Sequence, residues 1–170
     1  MSNRHIGEAV AKVEESLRQQ ADPGPSADLL ATATIVDGLC CRIESPDGTT
    51  IHTDMPPTVG GGDSANSPGW LLRSALASCD ATLLAMRAAR QGFQLEHIEV
   101  SVEASSDGRG MFLDEGINPG SAEMRLRFRI APGNASAEQV AELVRWVEEH
   151  SPVGNSIARA VPLHSEIEIV

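Results

Sequence analysis

The chain has 170 residues, 41% hydrophobic and 22% charged, with a formal net charge of −11. That length fits one folded domain with core enough to stand without staples, and the apolar patterning excludes a disordered chain. No apolar run approaches the roughly 18 residues a membrane span needs, and 24 acidic against 13 basic residues argue against nucleic acid or an anionic membrane as partner.

The segment Met1 to Gly7 has no apolar signal-peptide core, so export is not expected. Residues 3 to about 20 are predicted to form an amphipathic helix, because Ile6, Val10, Val13 and Leu17 recur on one helical face. Ala21 to Ser26, with Pro23, Gly24 and Pro25, ends it as a linker. The expected division is a helix and linker over residues 1–28 and a main domain over 29–170.

From Leu29 to Asp54 the chain reads as a meander of three strands. Asp37-Gly38 makes the first turn and Ser45-Pro46-Asp47-Gly48 the second, with strands at Thr32 to Val36, Leu39 to Glu44 and Thr49 to Asp54. Residues 55–67 hold Pro56, Pro57 and Gly60-Gly61-Gly62 and must be a loop. Ser67 is a helix N-cap, Pro68 suits the first helical position, and Gly92 stops the helix after Arg90. Its centre, Ala75 to Ala85, is small and apolar on most sides, the pattern of a helix buried from several directions.

Downstream, Ile98, Val100 and Val102 alternate with polar residues, as do Met124, Leu126, Phe128 and Ile130, giving two half-buried strands. Ser136 and Gln139 form a capping box that opens a helix with Val140, Leu143, Val144 and Val147 on one side. Ser151 to Ala160 reads as a turn or short helix, and Leu163, Ile167 and Ile169 as a last strand. This order is α+β, with an antiparallel or mixed sheet.

The glycine triplet before a helix invites a phosphate-binding reading. It lacks both the GK[ST] ending of a P-loop and the GxGxxG of a dinucleotide fold, so it is read as a connection that permits close backbone approach. Five histidines and three cysteines show no ligand spacing, so neither a metal nor another cofactor is expected. No GxSxG elbow supports a hydrolase. Arg125, Arg127 and Arg129 share one strand face and read as a solvated surface interspersed with Glu99 and Glu103. Cys40, Cys41 and Cys79 are too few and too ill-spaced for a disulfide framework, which points to a reducing, cytoplasmic setting. Cys79 sits mid-helix without a cationic neighbour in sequence. Adjacent Asp80 would disfavour its thiolate.

Pro56-Pro57-x-x-Gly60-Gly61, Asn66-Ser67-Pro68 and Leu71-Leu72-x-x-Ala75-Leu76-Ala77-x-Cys79 together resemble the signature of the OsmC/Ohr family, the osmotically inducible and organic hydroperoxide resistance proteins. Gly110 to Asp114, Asn118-Pro119-Gly120 and Glu148 to Val153 are similar to its OsmC-like branch. The resemblance spans roughly Leu29 to Val170 and implies an intertwined homodimer whose curved sheets wrap the long central helices. It implies a chemistry as well: the cysteine matching Cys79 attacks an organic hydroperoxide and becomes a sulfenic acid. A second cysteine then closes a disulfide that an external thiol or dithiol reduces, while an Arg and a Glu hold the thiolate.

This chain departs from that pattern in three places. Ser151 stands at the resolving-cysteine position, Gly69 at the Glu position, and Leu39 where the Arg aligns, with Arg42 the nearest arginine. The site expected is therefore Cys79 with Arg42. Two functions remain open: a thiol-dependent organic hydroperoxide reductase with a single attacking cysteine, and a non-catalytic protein binding a small ligand.

Overall fold

The computed structural model describes residues 3–22, 24–113, 116–159 and 161–169. Met1 and Ser2, the linker residue Pro23, Asp114 of the Gly110 to Asp114 motif, Ala160 and Val170 lie outside the described residues. The elements run α1 (Asn3–Gln19), β1 (Thr32–Asp37), β2 (Cys40–Glu44), β3 (Thr50–Thr53), α2 (Pro68–Arg90), β4 (His97–Ser106), α3 (Arg109–Phe112), β5 (Ser121–Ala131), α4 (Ala137–His150) and α5 (Pro152–Ala158). Both sheets are antiparallel, β1-β2-β3 and β4-β5, so the α+β class holds. The chain divides into two compact units, one of Met1–Ala11 with Leu76–Val170 and one of Lys12–Ala75.

In the Lys12–Ala75 unit the meander forms as expected, with the first turn one residue later, over Gly38-Leu39. Gly38 has a φ of 52°, a left-handed conformation that glycine adopts without strain. The loop after β3 closes around a carboxylate. Asp54 accepts hydrogen bonds from the backbone N–H of Met55 (2.7 Å), Gly62 (3.4 Å) and Ser64 (3.0 Å) and from the Ser64 hydroxyl (2.7 Å). Gly61 is what lets the loop do this: a Cβ there would overlap the Met55 carbonyl oxygen. The close backbone approach is observed, and the loop amides turn to the chain's own Asp54 rather than outward.

Helix α2 starts and stops where its caps dictate. Ser67 Oγ accepts from the Trp70 N–H at 3.3 Å, and Pro68 takes the first position. At the other end the Phe93 N–H bonds the Ala88 carbonyl (2.9 Å) and the Gly92 N–H that of Ala89 (3.1 Å), a Schellman motif around a left-handed glycine.

In the other unit, α2 buries one stripe, Leu76, Asp80, Leu84 and Ala88, at intervals of four, and Ala89 beside it. Leu84 and Ala88 pack with Leu143 and Val147 of α4 into a core flanked by Phe93, Leu95, Ile98, Phe128 and Ile130. Within one chain Met86 and Thr82 are exposed, and burial follows the single stripe. The Ser136 capping box forms in both directions, with Gln139 N–H to Ser136 Oγ and Ser136 N–H to Gln139 Oε1.

Strands β4 and β5 pair Ile98 with Ile130, Val100 with Phe128 and Val102 with Leu126, and on the other face Glu99 with Arg129 and Glu103 with Arg125. Arg129 reaches Glu99 at 3.0 Å across the ladder, whereas Arg125 pairs along its own strand with Glu123 at 2.9 Å. The arginine stripe is the solvated, acid-interspersed face expected.

The predicted last strand does not form. Residues 161–169 join no ladder, and Leu163, Ile167 and Ile169 are 92%, 88% and 94% exposed. An alternating segment becomes a strand only beside a free sheet edge, and among the described residues none is paired with it. The helix α1 forms over the range expected, and Gly7 lets it approach α2 closely: a Cβ there would lie within van der Waals overlap of the Ala89 carbonyl.

Two outcomes follow from this packing. Leu84→Ala, at a fully buried position, should destabilise the fold by about 2–5 kcal/mol in urea denaturation. The four hydrogen bonds lower the Asp54 pKa to about 2, the Ser64 side chain contributing most. The stability Asp54 supplies is therefore full above its ordinary pKa and is lost as pH falls through about 2. The stability difference between wild type and Asp54→Asn should shrink over that window; a difference independent of pH would contradict it.

Candidate thiol site

Cys79 lies on α2 beside the buried stripe and is half-buried. One residue along a helix turns the side chain by about 100°, so Asp80 faces the core while Cys79 faces its margin. Asp80 is 1% exposed. Burial pushes its pKa up, opposed by a hydrogen bond with the Ser151 side chain. Its Oδ1 has no hydrogen-bond partner among the described residues.

Ser151 stands at the junction of α4 and α5, as C-cap of the first and N-cap of the second. Its N–H donates to the Val147 carbonyl at 2.8 Å, which fixes the backbone. Its Oγ accepts from the Gly154 N–H at 3.0 Å and donates to Cys79 Sγ at 3.6 Å. A Cβ at Gly154 would sit 3.0 Å from the Ser151 oxygen, a tight approach. Ser151 is 1% exposed. The residue matched to the resolving cysteine thus touches the residue matched to the attacking one.

One turn before Ser151, Trp146 carries a stack. The Arg87 guanidinium lies over its ring at 4.6 Å, and the His150 ring stacks on its plane at 4.3 Å. The His150 Nδ1 is 2.8 Å from the Trp146 carbonyl oxygen.

Arg42 belongs to the Lys12–Ala75 unit, on β2, where its Nε lies 3.1 Å from Glu44 Oε2 in a half-exposed pair. Cys40 and Cys41 are adjacent on the same strand, so their side chains leave opposite faces. All three cysteines are free thiols. Gly69 occupies the first turn of α2, and a Cβ there would meet only Arg73 Nη1, at 3.7 Å.

Sequence reasoning missed the burial of Asp80. Its side chain is desolvated, which pushes its pKa up, while the Ser151 hydrogen bond acts the other way. The signal was present in the spacing: 76, 80, 84 and 88 form one helical stripe, and three of those four residues are apolar.

Among the described residues no helix is long and apolar enough to cross a membrane, and no three His, Cys, Asp or Glu side chains gather to hold a metal ion. Comparison with curated proteins finds no match. Among solved structures, an OsmC-like protein from Mycoplasma pneumoniae superposes with a TM-score of 0.67 at 19% identity, over 80% of this chain and 91% of that one. An organic hydroperoxide resistance protein OsmC from Legionella pneumophila gives 0.60 at 22%, over 79% and 91%. An organic hydroperoxide resistance protein from Elizabethkingia anophelis gives 0.59 at 20%, over 78% and 89%. These likenesses establish a shared fold. A sequence profile described as OsmC-like protein matches residues 60–166, more than half of the length, and the chain belongs to the OsmC-like protein family.

Proposed function

We propose that the chain is a thiol-dependent organic hydroperoxide reductase with Cys79 as its attacking residue. The observation that carries this reading is the position of that thiol: half-buried on the central helix of an OsmC-like chain, with a hydroxyl donor 3.6 Å from its sulfur. The Cys79 thiolate attacks the terminal oxygen of ROOH. An S–O bond forms, the O–O bond breaks, and the departing alkoxide takes a proton to leave as ROH. The sulfur, oxidised by two electrons, is then a sulfenic acid.

Ser151 cannot close a disulfide, so reduction falls to an external thiol. One thiol condenses with the sulfenic acid, releasing water and leaving a mixed disulfide. A second thiol, or the second sulfur of a dithiol, displaces Cys79 and departs as the disulfide. Arg42 is assigned as the cation that favours the thiolate. The competing reading, a non-catalytic member that binds a small ligand, draws support from Gly69 and Ser151 standing where a carboxylate and a cysteine are expected. Steady-state hydroperoxide consumption excludes it.

The reading includes a homodimer. Six apolar side chains are buried among the described residues, all outside the Lys12–Ala75 unit, while twenty large ones are exposed. Ile35, Val36 and Ile51 of the three-stranded sheet and the alternating 161–169 segment need an apolar cover, and a second copy supplies it. Three unbridged cysteines fit a cytoplasmic location.

Cys79→Ser should reduce hydroperoxide-dependent thiol oxidation to the uncatalysed background, while Cys40→Ser and Cys41→Ser keep it within about threefold. Comparable turnover in Cys79→Ser would sink the proposal. Ser151→Cys should convert the cycle to a two-cysteine one, seen as a disulfide from position 151 to Cys79 in non-reducing peptide maps after hydroperoxide. Light scattering should give the mass of two 18.0 kDa chains; a monomer would contradict the dimer.

A further inference from the structure

We propose that residues 163–169 are an exchanged strand: each copy of the chain lays this segment along the free edge of β5 in a second copy, with Glu166 and Glu168 facing Arg127. The proposal rests on the homodimer reading and deepens it by naming the segment, the edge and the charges that join the two copies.

The segment is built as a strand and lacks a sheet. Leu163, Ile167 and Ile169 alternate with His164, Glu166 and Glu168, so an extended backbone sends apolar and charged side chains to opposite faces. Pro162, with no N–H to give, stands just before it, where a strand tolerates proline. The three apolar side chains are almost wholly exposed and the segment joins no ladder. A bare apolar row of this kind marks a surface that meets a partner.

An edge of matching chemistry lies on β5. Strands β4 and β5 form a two-stranded sheet, and each keeps one unpaired edge among the described residues. One face of β5 carries Leu126, Phe128 and Ile130, and Leu126 is still exposed. The other carries the arginines. Arg125 is engaged by Glu123 and Arg129 by Glu99, whereas Arg127, opposite Ser101, has no ion pair among the described residues. A strand laid on this edge with its isoleucines toward the apolar row necessarily turns Glu166 and Glu168 toward Arg127. That holds whichever way the strand runs, because alternation fixes faces and not direction.

Charge rejects the other edges. On the same face β4 carries Glu99 and Glu103, so its outer edge would set glutamate against glutamate. The edge strands of the other sheet, β1 and β3, hold no lysine or arginine. The occupant is a second copy, because in its own chain the segment follows α5 and leaves the β5 edge open. Under two-fold symmetry each copy gives one strand and receives one, so the exchange closes at two chains.

The test uses full-length Arg127→Lys, which puts a primary amine on the arginine face; the one native lysine is Lys12. Arg127 is exposed, so the substitution leaves the core intact. Light and isotopically heavy chains are refolded together, weighed by light scattering, treated with a carbodiimide that joins amines to adjacent carboxylates, and peptide-mapped. The expected product is an amide from position 127 to Glu166 or Glu168, with mixed light and heavy partners. Linked peptides of a single isotope would place the strand in its own chain and overturn the exchange. Links confined to Glu99, Glu103 or Glu123, or no link at all, would overturn the β5 edge. In sedimentation, Arg127→Glu should weaken association roughly fivefold, and adding Glu166→Arg with Glu168→Arg should restore it. A combined variant no tighter than Arg127→Glu alone would contradict the pairing. A two-chain mass without the link refutes the exchange and leaves the homodimer standing, whereas a one-chain mass refutes both.

Discussion

The stripe of Leu76, Asp80, Leu84 and Ala88 on α2 constrains everything around the thiol. Leu84 and Ala88 are clamped on Leu143 and Val147 of α4, and that contact sets the rotation of α2 about its own axis. A slip of one residue would turn every side chain by about 100° and expose two buried leucines. With rotation fixed, Cys79 has one place to be, at the edge of the stripe. Because α4 ends on Ser151, the same contact delivers the Ser151 hydroxyl to the sulfur. Core packing and site geometry are therefore one interaction, and a substitution that loosens the stripe disturbs both.

Caps and alternation were the legible parts of this fold. Ser67-Pro68 and Gly92 bounded the long helix, Ser136 and Gln139 opened the next, and the period-two patterns of β4 and β5 gave the faces that their register later matched. These signals are local, so a single chain expresses them fully. Signals that depend on a neighbour are not answered within one chain. The apolar centre of α2 implied cover on several sides, and Leu163, Ile167 and Ile169 implied a strand, yet one chain supplies neither cover nor edge. The short helix at Arg109–Phe112 left no periodic mark because a single turn has no period to read.

At the site, residue identity was legible and environment was not. Cys79 and Ser151 could be named from the motifs, but their 3.6 Å contact is a tertiary fact separated by 72 residues. Asp80 illustrates the difference most sharply. Sequence adjacency counts it as a charge next to a thiol, while the fold removes it from water and leaves its Oδ1 without a partner among the described residues. No carboxylate stands near the start of the helix at Gly69.

The central claim, that Cys79 is the peroxidatic residue, is tested most directly by a single turnover. The protein is exposed to one equivalent of an organic hydroperoxide without reductant, and all three cysteines are quantified by peptide-mapped mass spectrometry. The account predicts near-stoichiometric oxidation of Cys79 to a sulfenic acid, with Cys40 and Cys41 unmodified. A Cys79 that stays reduced, or that oxidises no faster than Cys40 and Cys41, would contradict it.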